Sequence, residues 1–114
     1  MTYNRVLAER VKEALASIPD VEEKKMFGGI TFMVNGKMCV SVSGDRLMCR
    51  VDPAIQEEVL QSKGTQLVTM RGREYKGYIY VSEEAIRREE DFNFWIGLSL
   101  EYNKRAKASV RKKK

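Results

Sequence analysis

The chain has 114 residues, the size of one domain, and a domain of this length buries roughly 60–70% of its unfolded surface without help from disulfides or metal. With 43% apolar residues, 32% charged residues and only 2 Pro, the composition excludes a disordered or collagen-like chain. Its longest apolar stretch, Phe94 to Leu100, is broken by Gly97 and Ser99 and falls far short of the roughly 20 residues a membrane span needs. The first residues, Met-Thr-Tyr-Asn-Arg, lead straight into a charged amphipathic segment without the apolar core of a secretory signal, so a cytoplasmic location and no membrane partner are expected. Histidine is absent, which removes the commonest acid–base residue and metal ligand together. The net charge of +5 is unevenly spread. Seven of the 21 Lys and Arg follow Tyr102, so the first 102 residues carry fourteen cations against all sixteen acids, a net −2. The basic character belongs to the tail.

Tyr3 to Ser17 places Val6, Leu7, Val11, Ala14 and Leu15 at helical spacing, and Pro19-Asp20 ends this first helix. Val21 to Phe27 alternates only loosely before Gly28-Gly29. Ile30 to Val34 reads as a strand, Asn35-Gly36 as a type I′ hairpin turn, and Lys37 to Ser43 as the returning strand. Gly44-Asp45 leads into a third strand, Arg46 to Val51. Asp52-Pro53 caps a short helix carrying Ile55, Val59 and Leu60, which Gly64 closes. Thr65 to Met70 and Lys76 to Val81 read as two more strands. After the charged stretch Ser82 to Glu90, Asp91 is read as the cap of a last helix bearing Phe92, Trp95, Ile96, Leu98 and Tyr102. The expected fold is a two-layer α+β domain with an antiparallel five-stranded sheet, in the order α-β-β-β-α-β-β-α. The domain is expected to span residues 1–108, with 109–114 as a basic tail.

Two-residue turns fix hairpin register, which sets Met33 opposite Met38 and Phe32 opposite Cys39. One face then gathers Met33, Met38, Val40, Val42, Leu47 and Cys49 beneath the helices. The other gathers Phe32, Cys39, Met48, Tyr78 and Tyr80, too apolar for a wetted surface. Phe32, Met48, Tyr78 and Tyr80 are therefore the expected partner interface, and the partner is expected to be a second copy or a transcription regulator. The same register places Cys39 and Cys49 on opposite faces, which argues against a disulfide between them.

The residues offer little for catalysis. No nucleophile–base pair is evident, two separated cysteines cannot complete a zinc site, and the glycines do not fit a phosphate-binding loop. No enzyme activity, cofactor or metal is expected. Arg71-Gly72-Arg73 with Tyr75, Tyr78 and Tyr80 combines cations with aromatic platforms, the ingredients of single-strand binding. The tail residues Lys104, Arg105, Lys107, Arg111, Lys112 and Lys113 form the alternative, a weak and sequence-independent nucleic-acid contact. Gly28-Gly29 is expected to host a bulge or a close backbone approach, Trp95 to anchor the core, and Gly97 to let the last helix approach the sheet.

Lys25-Met26-Phe27-Gly28-Gly29, the hairpin through Asn35-Gly36-Lys37-Met38, and Asp45-Arg46-Leu47 up to Val51-Asp52 resemble the N-terminal domain of TfoX/Sxy, bacterial regulators of natural competence. Lys76-Gly77-Tyr78-Ile79-Tyr80-Val81 and Trp95-Ile96 continue the likeness in order, over roughly Tyr3 to Lys107. The resemblance implies an α-β3-α-β2-α fold similar to secretion chaperones, a stand-alone N-terminal domain, and a regulatory role as a transcriptional co-activator. It supplies no catalytic residues.

Overall fold

The computed structural model describes residues 3–26, 28–70 and 72–106, Met70 by its backbone alone. Helix α1 spans Arg5–Ala14, and the Asn4 side chain caps it by accepting a hydrogen bond from the Leu7 amide at 3.0 Å. Strands β1 (Val21–Met26), β2 (Gly29–Val34), β3 (Lys37–Ser43) and β4 (Arg46–Arg50) follow. A 3-10 turn, Pro53–Ile55, capped by Asp52, runs into the four-residue helix α2, Gln56–Val59. The chain finishes with β5 (Thr65–Met70), β6 (Arg73–Val81), a 3-10 turn at Glu84–Ile86 and α3, Glu89–Asn103. Asp91 lies within the first turn of α3 and the cap position belongs to Arg88, which corrects the expected start of that helix.

The fold is α+β, with one antiparallel sheet in the order β1-β2-β3-β4-β6-β5. It has six strands where five were expected. The additional strand is β1, whose Glu22, Glu23, Lys24 and Lys25 are all exposed, so it lacks the apolar alternation that marks a strand in sequence. No helix among the described residues is long and apolar enough to cross a membrane.

The Asn35-Gly36 turn has positive φ at both residues, 55° and 76°, as a type I′ turn requires. Its register begins as expected, Val34 opposite Lys37 and Met33 opposite Met38. It then shifts, because Phe32 pairs with Val40 and leaves Cys39 as the extra residue of a bulge. The bulge puts Cys39 and Val40 on the same side, so Val40 and Val42 keep their expected place beneath the helices while β2 and the turn end of β3 lie on the opposite faces from those expected.

This corrects the expected face assignment at several positions. Phe32 lies 1% exposed in the helix-covered core with Leu7, Val11, Leu47, Trp95 and Ile96. Cys39 and Cys49 share that core as free thiols. Met33 and Met38 move to the other side, where they join Met48 and Val68 in a second buried cluster.

Two glycines allow close packing of backbones. A Cβ on Gly29 would sit 2.9 Å from the Val42 carbonyl carbon and 3.0 Å from the Ser43 Cα. Gly77 has φ +85°, and a Cβ there would lie 2.8 Å from the Val51 carbonyl oxygen. Its amide donates to the buried Gln56 Oε1 at 2.6 Å, and its carbonyl accepts from Val51 N at 2.7 Å, which ties α2 and the end of β4 to β6. Gly97 is exposed with nothing within 4 Å of a Cβ, so it does not mediate the approach of α3 to the sheet.

Candidate partner-binding surface

The surface away from the helices is organised by β4 and β6. Strand alternation sends Leu47 and Cys49 to the helix side and Arg46, Met48 and Arg50 to the other. Pairing sets Met48 opposite Tyr80 and Arg50 opposite Tyr78. Met48 is fully buried, and Tyr78, Tyr80 and Met26 pack half-buried against its cluster. Among the described residues, the expected open apolar face is therefore not found. Its methionines are already covered, and Met48 does not stand on the surface.

Aromatic rings and guanidinium groups form the accessible layer. The Arg46 guanidinium lies 3.5 Å from the Tyr80 ring centroid. That of Arg50 lies 5.5 Å from Tyr78 and 5.7 Å from Tyr102, the latter carried by α3. Stacking over an aromatic face compensates a cation through the ring quadrupole and also holds the ring in place. Neither Arg46 nor Arg50 has an acidic partner within ion-pair distance among the described residues, and Arg50 Nη1 is buried without an acceptor. Burial raises the Tyr78 phenol above its usual pKa, with Arg50 pulling partly the other way.

The other residues singled out in the sequence lie elsewhere. Tyr75 meets Tyr78 edge-on at 6.0 Å, and Arg73 is exposed at the start of β6. Lys104 pairs with Glu101 at 3.6 Å and Arg105 with Asp52 at 2.9 Å, so both are engaged within the fold. The Ala54 amide, followed by the Arg105 hydrogen bond, holds the Asp52 carboxyl below its usual pKa. Trp95 is buried in the core, Met26 borders the methionine cluster, and Gly28 has φ +73°. Phe27, Arg71, Lys107, Arg111, Lys112 and Lys113 lie outside the described residues.

The cysteines are poorly placed for surface chemistry. Burial pushes both thiols from 9.0 up to about 12, offset slightly by Arg50 at Cys39 and by the Ser99 hydroxyl near Cys49. Because the thiolate is the reactive form, native protein at pH 8 should react with thiol reagents only through unfolding. Labelling should accelerate in step with added urea; rapid stoichiometric labelling of the native protein would contradict this burial. Linkage gives the matching pH effect. A thiol whose folded pKa is raised stabilises the fold fully below the unfolded value near 9, and the contribution is lost as pH climbs toward 12. Alkaline destabilisation should therefore be shallower in a Cys39→Ala/Cys49→Ala variant than in the wild type.

Sequence reasoning put Tyr78 and Tyr80 on this side of the sheet, where they pack against the methionine cluster, but gave Arg46 and Arg50 no part in the expected interface. Their spacing at alternate positions around Met48, opposite a Tyr-Ile-Tyr strand, was the available signal. No curated protein and no solved structure matches the chain. A sequence model described as the TfoX N-terminal domain matches residues 13–102, which include both sheet edges, the Arg–Tyr surface and nearly all of α3. The chain belongs to the TfoX N-terminal domain family.

Proposed function

We propose that this domain is a non-enzymatic protein-interaction module with a regulatory role related to competence and transcription, and that its partner is a transcription regulator presenting an acidic surface. The observation that carries the reading is the Arg46–Tyr80 and Arg50–Tyr78 layer, in which neither cation has an acidic partner among the described residues. Tyrosine and arginine are the residue types in which interface energy concentrates, and unpaired guanidinium groups give an acidic partner a bidentate target. Family membership supports the regulatory part, since the family is associated with competence and regulation.

Affinity capture with the intact chain, followed by mass spectrometry, tests the reading. Tyr80→Ala and Arg46→Ala should each reduce recovery of one specific regulator by about tenfold, consistent with a loss of 1–2 kcal/mol at an interface, while the thermal transition stays near that of the wild type. Recovery unaffected by both substitutions would sink it. Fluorescence anisotropy with labelled duplex separates the nucleic-acid alternative: salt-sensitive binding that disappears with residues 107–114 would transfer the function to the tail.

A further inference from the structure

Arg46 and Arg50 carry their charge in different ways. The Arg46 guanidinium lies 3.5 Å from the Tyr80 ring centroid, a close stack that gives the cation a π-face of its own. Arg50 stands 5.5 and 5.7 Å from the centroids of Tyr78 and Tyr102, near the limit of roughly 6 Å at which a ring still compensates a cation. Among the described residues, no hydrogen bond or ion pair engages Arg50. Its Nη1 is sealed from solvent without an acceptor, whereas Nε and Nη2, equally without partners, are not sealed. Closing off Nη1 removes the end-on fork of the guanidinium and leaves the side-on fork, in which Nε–H and one Nη2–H point the same way. Two parallel donors on one open edge match the two oxygens of a carboxylate.

The charged groups around this corner leave that fork open. Asp52, two residues on from Arg50, accepts from the Ala54 amide at 2.9 Å and from Arg105 at 2.9 Å. Glu101, the neighbour of Tyr102 on α3, pairs with Lys104 at 3.6 Å. Glu74 and Lys76, both exposed on β6 before Tyr78, bring one charge of each sign. The Cys39 thiol, which senses Arg50 from the core side, is held neutral by burial. Arg105 lies 5.4 Å from the Tyr102 ring but already has Asp52 as its partner. The corner therefore offers a single open guanidinium edge, suited to one carboxylate, and lacks the second free guanidinium that would favour a phosphoryl dianion.

We infer that the Nε–Nη2 edge of Arg50, between Tyr78 and Tyr102, is the seat of one side-chain carboxylate, an Asp or Glu of the protein partner, held by two parallel hydrogen bonds. The inference rests on the interaction-module reading and names the residue that anchors the partner and the group it reads. Arg46 supplies charge to the same surface through its stack on Tyr80. Arg50 supplies geometry, because a planar fork with one end fixed inside the fold accepts its ligand in one orientation.

The test uses the full chain, isotope-labelled for NMR, and the peptide acetyl-Ala-Leu-Glu-Leu-Ala-amide at low salt. The Arg50 Nε–H signal, assigned by its loss from Arg50→Lys, should shift saturably together with the ring signals of Tyr78 and Tyr102. The same peptide with Gln in place of Glu should bind about tenfold more weakly or less, since it keeps the shape and loses the charge. Arg50→Lys, which keeps the charge and loses the fork, should weaken binding of the Glu peptide to a similar degree with the thermal transition near that of the wild type, whereas Arg46→Lys should leave it within about twofold. No saturable shift at Arg50, equal binding of the Gln peptide, or shifts centred on Arg46 would overturn the inference. So would tighter binding of inorganic phosphate, or of the Gln peptide carrying a free C-terminal carboxylate, at the Arg50 signal. If the captured regulator is retained by Arg50→Lys but lost from Tyr80→Ala and Arg46→Ala, the carboxylate seat fails while the interaction module stands.

Discussion

Gly29→Val is expected to unfold the domain, or to lower its stability by about 3 kcal/mol or more, the upper range for forcing atoms into a packed site. The obstruction is the backbone of β3, because a Cβ meets Val42 and Ser43 main-chain atoms at 2.9 and 3.0 Å. A side chain could rotate aside, but a strand held by ladders on both faces of its pairing cannot. Against a typical stability of roughly 5–15 kcal/mol this is a large fraction. Gly36→Ala is the comparison: it has the positive φ of a turn but open space around a Cβ, and should cost only about 1 kcal/mol. Urea denaturation of the two variants gives the answer. Equal midpoints for Gly29→Val and wild type would show that β2 and β3 do not approach as closely as described.

Phe32→Ala is expected to destabilise by about 3–5 kcal/mol, the range for emptying a buried aromatic site. Phe32 is 1% exposed among residues of α1, α3 and the sheet, which surround it too closely to collapse fully into the space. Tyr80→Ala should behave in the opposite way, with a small loss of stability and a large loss of partner. Measuring both properties on both variants separates core from interface. A Phe32→Ala protein of wild-type stability that has lost its partner would return Phe32 to the surface and contradict the bulge.

That bulge also explains where sequence reading succeeded and stopped. Asn35-Gly36 demands a particular turn, so the first two pairs of the hairpin could be read from local chemistry. Beyond them, Met38-Cys39-Val40 is apolar at every position, and no polar residue marks which one is supernumerary. Strand β1 escaped for a different reason: an edge protected by charge has no buried face to betray its period. Residues with inherent backbone demands were legible, as were the tyrosines of β6. The Arg46 and Arg50 contacts depend on β4 lying beside β6, a neighbourhood that distant parts of the chain create together.

The same neighbourhood bears on how the domain assembles. Strands β1 to β4 pair in sequence order and β5 with β6 is a hairpin, so each group can form from nearby residues. Joining β4 to β6 requires closing the whole stretch from Arg50 to Tyr78, with α2 and β5 inside the loop. Loop-closure entropy must be met before those distant contacts return any stabilisation, so this is the ladder of the sheet that costs most to close. It is this ladder that sets Met48 beside Tyr80 and anchors the β5–β6 hairpin to the rest of the sheet. The Arg46–Tyr80 and Arg50–Tyr78 contacts lie across this ladder, so the surface proposed to recognise a partner depends on the longest-range pairing of the sheet.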